Sequence, residues 1–260
     1  MSKKETTPLS LGRVILGQNV HGFFVRTKAE PGVMARILTA AAKFNVTIIN
    51  IYNSTPTKRG GSASFVVFYD FSEAMASPQE VRKAMEEAVE NTEVELLEPI
   101  LPGVVANTKH YPLLLLGERA IIFREAVLRG WFVGIRRRFG TGGEAFLYYE
   151  GFEAGQEIFD TYTKLGISPH DLWAMFCVAL IAIGGAKDMK FEIKEGGMTL
   201  RIWENMECCL GRGSDKSFSQ FLRGAIAGFA SKFFKANVIV VETKCIAKGD
   251  PYCEFEVTIA

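Results

Sequence analysis

The feature that most constrains this chain is a proline-bearing stretch near its middle. Residues Pro99 to Pro112 read PILPGVVANTKHYP, with three prolines and no apolar period. Proline lacks the N–H that helices and central strands need, so the stretch interrupts regular structure and divides the chain. We place the domains at 1–103 and 104–260. A chain of 260 residues is longer than the usual ~100–150 of a single domain. The apolar fraction of 48% is enough for two cores and excludes wholesale disorder.

Before the break the elements alternate. VHGFFVRTK (20–28) has the branched and aromatic content of a strand. Val33, Ile37, Ala40, Ala41 and Phe44 fall at helical spacing after Pro31. VTIINIYN (46–53) and SASFVVFYDF (62–71) read as strands flanking a KRGG turn. Ser77 and Glu80 frame a capping box for a helix to about Glu90, and EVELLEP closes with a strand. The order predicts a ferredoxin-like βαββαβ sandwich with helices on one face.

After the break, 118–140 reads as one long amphipathic helix, GEAFLYYEG (143–151) as a strand, and FEAGQEIFDTYTKL (152–165) as a helix. Ser168 and Pro169 are expected to cap and start a helix through DLWAMFCVALIAIGG. Its uncharged run, Leu172 to Ala186, is shorter than the roughly 20 residues needed to cross a bilayer and reads as buried. MKFEIKEGGMTLRIWE alternates as a hairpin. SFSQFLRGAIAGFASKFF is a small-residue helix, and NVIVVETKC and CEFEVTIA are strands joined by a Gly-Asp-Pro turn. The second half is thus a mixed α/β domain with an antiparallel sheet, and the chain as a whole is α+β.

Composition and motifs narrow the function. Lys plus Arg total 30 against 29 Asp plus Glu, and both halves are balanced, so direct nucleic-acid binding is not expected. Arg136-Arg137-Arg138 suits a helix C-terminus, where cations offset the dipole. The polar start carries no signal-peptide core. Five cysteines cannot all pair within the chain, so a reducing cytoplasm and no membrane are expected. His21, His110 and His170 accompany no nucleophile motif, and the glycines of FGTGGEAF (139–146) follow a helix rather than a strand, unlike a dinucleotide loop. Nothing here reads as an active site.

Two resemblances sharpen this picture. Glu30-Pro31-Gly32-Val33-Met34 and Val46-Thr47-Ile48-Ile49-Asn50-Ile51 resemble the ACT domain over about 18–98. That resemblance implies amino-acid binding or dimerisation, with Gly32 and Asn50 as ligand residues; turn formation and backbone satisfaction are the alternatives. Glu242-Thr243-Lys244-Cys245, Gly249-Asp250 and Cys253-Glu254-Phe255, with RGAIAGF (223–229), resemble the 4-vinyl reductase family over about 115–260. Tyr148-Tyr149-Glu150-Gly151 to Gly155 agrees with it.

The same fold serves in phenol-responsive sensors, where a Glu, two Cys and an upstream Cys hold zinc. Glu242, Cys245 and Cys253 match three of those ligands. Phe218-Ser219-Gln220 stands where the upstream Cys is expected, so Cys208 or Cys209 is the candidate fourth ligand. A closed four-ligand zinc is structural rather than catalytic. Reduced, metal-free thiols or a Cys245–Cys253 disulfide are the other readings, and Cys177 is assigned to the core.

The large aromatics Trp131, Phe152, Trp173, Phe176 and Trp203 either pack solid or line a cavity for a small hydrophobic ligand. The family's phenol-binding His has no match here, which points to a more apolar ligand or an acyl chain. The expected function is a ligand-sensing regulator, a homodimer acting through a partner. An accessory role in tetrapyrrole or aromatic metabolism and a ligand-free scaffold are the alternatives.

Overall fold

The computed structural model describes residues 6–54 and 58–260. The chain forms two compact units, 1–121 and 122–260. In the first, β1 (Val14–Leu16) precedes β2 (Val20–Lys28), α1 (Val33–Ala42), β3 (Thr47–Asn53), β4 (Ser62–Asp70), α2 (Pro78–Glu87) and β5 (Glu93–Leu97). Then come β6 (Val104–Ala106), β7 (Leu113–Leu115) and β8 (Glu118–Ala120).

The main sheet is antiparallel, ordered β3-β4-β2-β5. One face buries Phe23, Val25, Phe65, Val67 and Tyr69 against Val33, Ile37 and Ala41 of α1 and Val81 and Met85 of α2. The capping box of α2 is complete: the Ser77 hydroxyl accepts from the Glu80 amide, and Glu80 accepts from the Ser77 amide.

The opposite face is also covered, which the helical pattern did not announce. β1 pairs with β6, and Ile15 and Val105 bury Phe24, Val66, Phe68 and Leu97. Arg13 reinforces this cover by donating to the carbonyls of Asn107 and His110. The proline-bearing stretch is therefore tied into the first unit, and the division falls at 121/122 rather than at 103/104. Prolines broke regular structure there, but Val104, Val105 and Ala106 between them still paired.

The second unit contains α3 (Glu125–Phe139), α4 (Thr141–Lys164), α5 (Leu172–Ala182), β9 (Asp188–Lys194) and β10 (Gly197–Trp203). It continues with α6 (Met206–Leu210), α7 (Gln220–Phe234), β11 (Val238–Lys244) and β12 (Cys253–Ile259). Its antiparallel sheet is ordered β11-β12-β10-β9.

Three local expectations are corrected. Residues 118–120 are a strand, and α3 begins at Glu125. Asp171, not Ser168, precedes α5, and Ser168 instead accepts from the Asp171 amide through its carbonyl in a turn. GEAFLYYEG is helical, inside α4.

Packing against α7 overrides the strand propensity of Phe-Leu-Tyr-Tyr in α4. A methyl group on Gly151 would sit 1.9 Å from the Phe221 carbonyl oxygen, and one on Gly155 2.1 Å from that of Ala225. On α7, one on Gly224 would lie 2.0 Å from the Tyr148 carbonyl oxygen, and one on Gly228 1.9 Å from that of Phe152. Only glycine lets these two backbones approach so closely.

Candidate metal centre

The site is built where β11 ends. The β11–β12 register shifts between Glu242 and Lys244. Such a bulge bends a strand and re-aims its side chains. Here Glu242 joins Cys245, three residues on, although strict alternation would send them to opposite faces. A 3-10 turn (Ile246–Lys248) then leads back towards Cys253. Asp250 closes this turn: its carboxylate accepts from the Cys245 amide at 2.8 Å, and its own amide donates to the Cys245 carbonyl.

The fourth member comes from α6. The ligand atoms of Cys208, Glu242, Cys245 and Cys253 lie within 4.8 Å of one another. The Sγ atoms of Cys208 and Cys245 are 3.5 Å apart, and Cys208 Sγ is 3.4 Å from Glu242 Oε1. All three cysteines are fully buried. Of the two adjacent thiols, Cys208 enters the cluster. Cys209 does not; its sulfur meets Glu204 and Arg212, outside the cluster.

Donors surround the sulfurs. Phe218 N–H points at Cys245 and Ile246 N–H at Cys253, each at 3.4 Å. The Asn205 amide nitrogen donates to Cys208 at 3.4 Å, Cys253 at 3.5 Å and Ser219 Oγ at 2.9 Å. Ser219 N–H reaches Glu242 Oε2 at 3.2 Å. Phe218 and Ser219 thus contribute to the site through their backbone amides, while Cys208 supplies the upstream sulfur.

Without a cation the groups compete for charge. Hydrogen bonds from Cys208 and Cys253 hold the Cys245 thiol far below the usual range, whereas contacts with Cys245 and Cys253, and then burial, push Cys208 far above it. Burial, then the neighbouring Cys245, raises Glu242 to about 7. Adjacent like charges in a low dielectric oppose one another. A bound cation would remove that conflict, so these residues can hold a metal.

Sequence reasoning missed two neighbours. Asn205, fully buried, is signalled only by its place as an N-cap before Glu207, whose amide donates to its side-chain oxygen. Glu207 is also fully buried. Its carboxylate accepts from the amides of Gln220, Phe221 and Leu222, opening α7, and from the Arg136 guanidinium. Burial raises the Glu207 pKa, and Arg136 opposes the shift. No spacing in the sequence links Glu207 to Arg136, 71 residues away.

The aromatic set divides. Trp173 and Phe176 join Phe229, a residue the sequence reading had not singled out, with centroids 4.6 to 5.4 Å apart. Phe152 packs against the same core. Trp131 is 45% exposed beside Phe123, and Trp203 stacks with Tyr252, so neither belongs to that ring cluster.

In the first unit, Gly32 precedes α1 at φ 79°, and the Asn50 amide is engaged with the Ser10 carbonyl at 3.0 Å. A cleft of about 440 Å³ beside that turn is lined by residues including Lys28, Pro31, Met34 and Arg59, but not by Gly32 or Asn50. No helix among the described residues is long and apolar enough to cross a membrane.

The sheet, the glycine-packed helices and the sulfur-rich corner define the second unit as a mixed α/β module. The 4-vinyl reductase domain model matches residues 198–259, a span holding all four clustered ligands. An uncharacterized protein of Methanocaldococcus jannaschii, MJ0150, is 33% identical over 120 residues, 46% of this chain and 67% of the relative. The chain carries a 4-vinyl reductase domain and belongs to one family with this relative.

Structural comparison returns the phenol-responsive sensory domain of the transcription activator PoxR with phenol. It has a TM-score of 0.48 and 15% identity, and the match covers 55% of this chain and 77% of that one. A vinyl-4-reductase family protein from Methanocaldococcus jannaschii gives 0.39 and 19%, covering 56% and 86%.

Proposed function

We propose that the protein is a small-molecule-responsive regulator whose 4-vinyl reductase unit is pinned by a structural zinc and binds a small hydrophobic ligand. Three thiolates and a carboxylate suit zinc. A Zn–S distance of about 2.3 Å implies tetrahedral S···S edges of roughly 3.8 Å, close to the 3.5 Å between Cys208 and Cys245. Amide donors to the sulfurs supply the outer support that metal thiolates need. When bound, zinc would neutralise the buried charge. Cys208 would anchor α6, and Cys245 and Cys253 would anchor the β11–β12 turn. With all four positions filled by protein there is no open position for a substrate.

One observation carries the ligand assignment. Trp173 is fully buried, and its indole N–H has no acceptor among the described residues. An unpaired buried donor calls for a partner. A small molecule with an apolar body and one acceptor would satisfy it among Phe176, Phe229 and the half-buried Phe233, whose ring is 6.0 Å away.

For the first unit we infer a ferredoxin-like, ACT-like module that binds an amino acid or forms a homodimer. The strand order β3-β4-β2-β5 with two helices on one face supports this. The output passes through a partner, by a ligand-dependent shift between populated arrangements.

Native mass spectrometry of untagged, chelator-free protein tests the metal. One zinc per chain is expected, with loss of retention in Cys208→Ser and Cys253→Ser. Titration with 2-naphthol, followed by tryptophan fluorescence, tests the ligand. Saturable quenching that weakens at least tenfold in Trp173→Phe is expected. Zinc-free wild type would sink the first half, and unsaturable quenching the second.

A further inference from the structure

We infer that Arg136 and Glu207 are positioning residues for the fourth ligand, and that metal occupancy is thereby transmitted to helix α3. This rests on the metal reading above and adds to it a route out of the site. Glu242, Cys245 and Cys253 all lie on the β11–β12 segment, which its own turn and ladder hold. Cys208 lies outside that segment, on a helix of five residues, too short to be stable by itself. Something else must hold α6 against the cluster.

The structure supplies two anchors. One is Asn205, which meets Cys208 and Cys253 directly. The other is Glu207, immediately before Cys208, whose two carboxylate oxygens take three backbone amides of α7 and the Arg136 guanidinium. Arg136 belongs to α3 and is itself fixed. It donates to the carbonyls of Phe132 and Phe218, and its guanidinium lies 4.0 Å from the centroid of the Phe218 ring. The Phe218 amide in turn points at Cys245. Thus α3 meets the cluster along two short paths, one through Glu207 to Cys208 and one through Phe218 to Cys245.

Both paths run through buried hydrogen bonds with discrete partners, so α6 cannot leave the cluster without disturbing Arg136. A metal drawing Cys208 inward holds α6, and α6 holds α3. α3 carries an exposed apolar row, Val127, Trp131 and Phe139, at 38%, 45% and 63% exposure, so its order is a surface property that zinc can change.

Hydrogen exchange on the intact chain, with zinc bound and after chelation, tests this; zinc stoichiometry is read on the same samples. Exchange in residues 132–139 is expected to quicken at least tenfold on zinc removal, together with 205–210. In Arg136→Lys, which keeps the charge but loses the planar fork, zinc affinity measured with a chromophoric chelator should fall about tenfold. Exchange in 132–139 should then respond less to zinc. If that variant fails to fold, the wild-type comparison still decides. Zinc bound, with 205–210 responding and 132–139 unmoved, overturns the coupling and leaves the metal reading standing. No stoichiometric zinc overturns both.

Discussion

The two units solve the same problem, covering a four-stranded antiparallel sheet, by different means. In the first, both faces meet hydrocarbon. Helices α1 and α2 bury one side, β1 and β6 the other, and every member of both clusters is an apolar or aromatic side chain. In the second, glycine contacts let α4 and α7 touch backbone to backbone, and one corner buries sulfur, carboxylate and amide together. Burial of hydrocarbon is non-directional and tolerates adjustment. Backbone contact and ligand geometry do not. The first unit should therefore degrade gradually under mutation, and the second should fail at a few points.

The strongest way to break this contrast is Gly228→Leu. Its Cβ would lie 1.9 Å from a backbone oxygen, and backbone cannot rotate aside. The cost should exceed the 1–3 kcal/mol typical of overpacking. Amide exchange should show residues 122–260 unprotected while the first unit keeps its protection. Protection retained in both would show that α4 and α7 can separate cheaply.

Next comes zinc removal. With free zinc about a thousandfold above its dissociation constant, binding stabilises the folded state by about 4 kcal/mol. Chelation should lower the protection of the second unit by that order and leave the first unchanged. Equal loss in both would refute a metal confined to one unit.

The same contrast explains what the sequence displayed. Side-chain periodicity reports hydrocarbon burial, so the elements of the first unit were legible to within a residue or two, including the Ser77–Glu80 box. The β1–β6 cover was not, because three-residue strands carry too few alternations to register. In the second unit the glycines of α4 were visible, but Phe146 to Tyr149 between them suggested a strand. Pairing Gly151 and Gly155 with Gly224 and Gly228, at matching four-residue spacing, would have indicated two helices in contact. Glu242, Cys245 and Cys253 were legible as a spaced string. The choice of Cys208 over Cys209 was not, because it depends on how Asn205 caps α6 and how Glu207 anchors it. Trp131 and Trp203 were grouped with Trp173 by residue type alone, which carries no information about position.

A third test sharpens the gradual side of the comparison. Met85 is fully buried between α2 and the sheet. Met85→Ala should cost about 3 kcal/mol through lost burial and residual cavity. The unit should nevertheless stay folded, with a lower denaturation midpoint and an unchanged denaturant slope. A collapse like that expected of Gly228→Leu would erase the distinction between the units.

The smallest effect is acid sensitivity of the first unit through His110. Its ring sits beneath the β1–β6 cover, with Nε2 3.2 Å from Ser64 Oγ, Nδ1 3.1 Å from the Asn107 amide nitrogen, and Phe24 edge-on at 5.7 Å. Burial first, and then the Arg13 charge, hold its pKa below the ordinary 6.5. The unfolded chain therefore binds a proton that the folded unit resists. Stability from this source is complete above about pH 6.5, falls as pH drops towards the folded-state pKa, and levels off below it. His21, also lowered by burial, adds in the same direction. Thermal denaturation followed from pH 7.5 to 5.5 should show this decline, and His110→Gln, which keeps one donor and one acceptor, should flatten part of it. An unchanged slope in that variant would assign the acid sensitivity to groups other than His110, and the hydrocarbon-covered sheet would then have no polar contact that pH can reach through this ring.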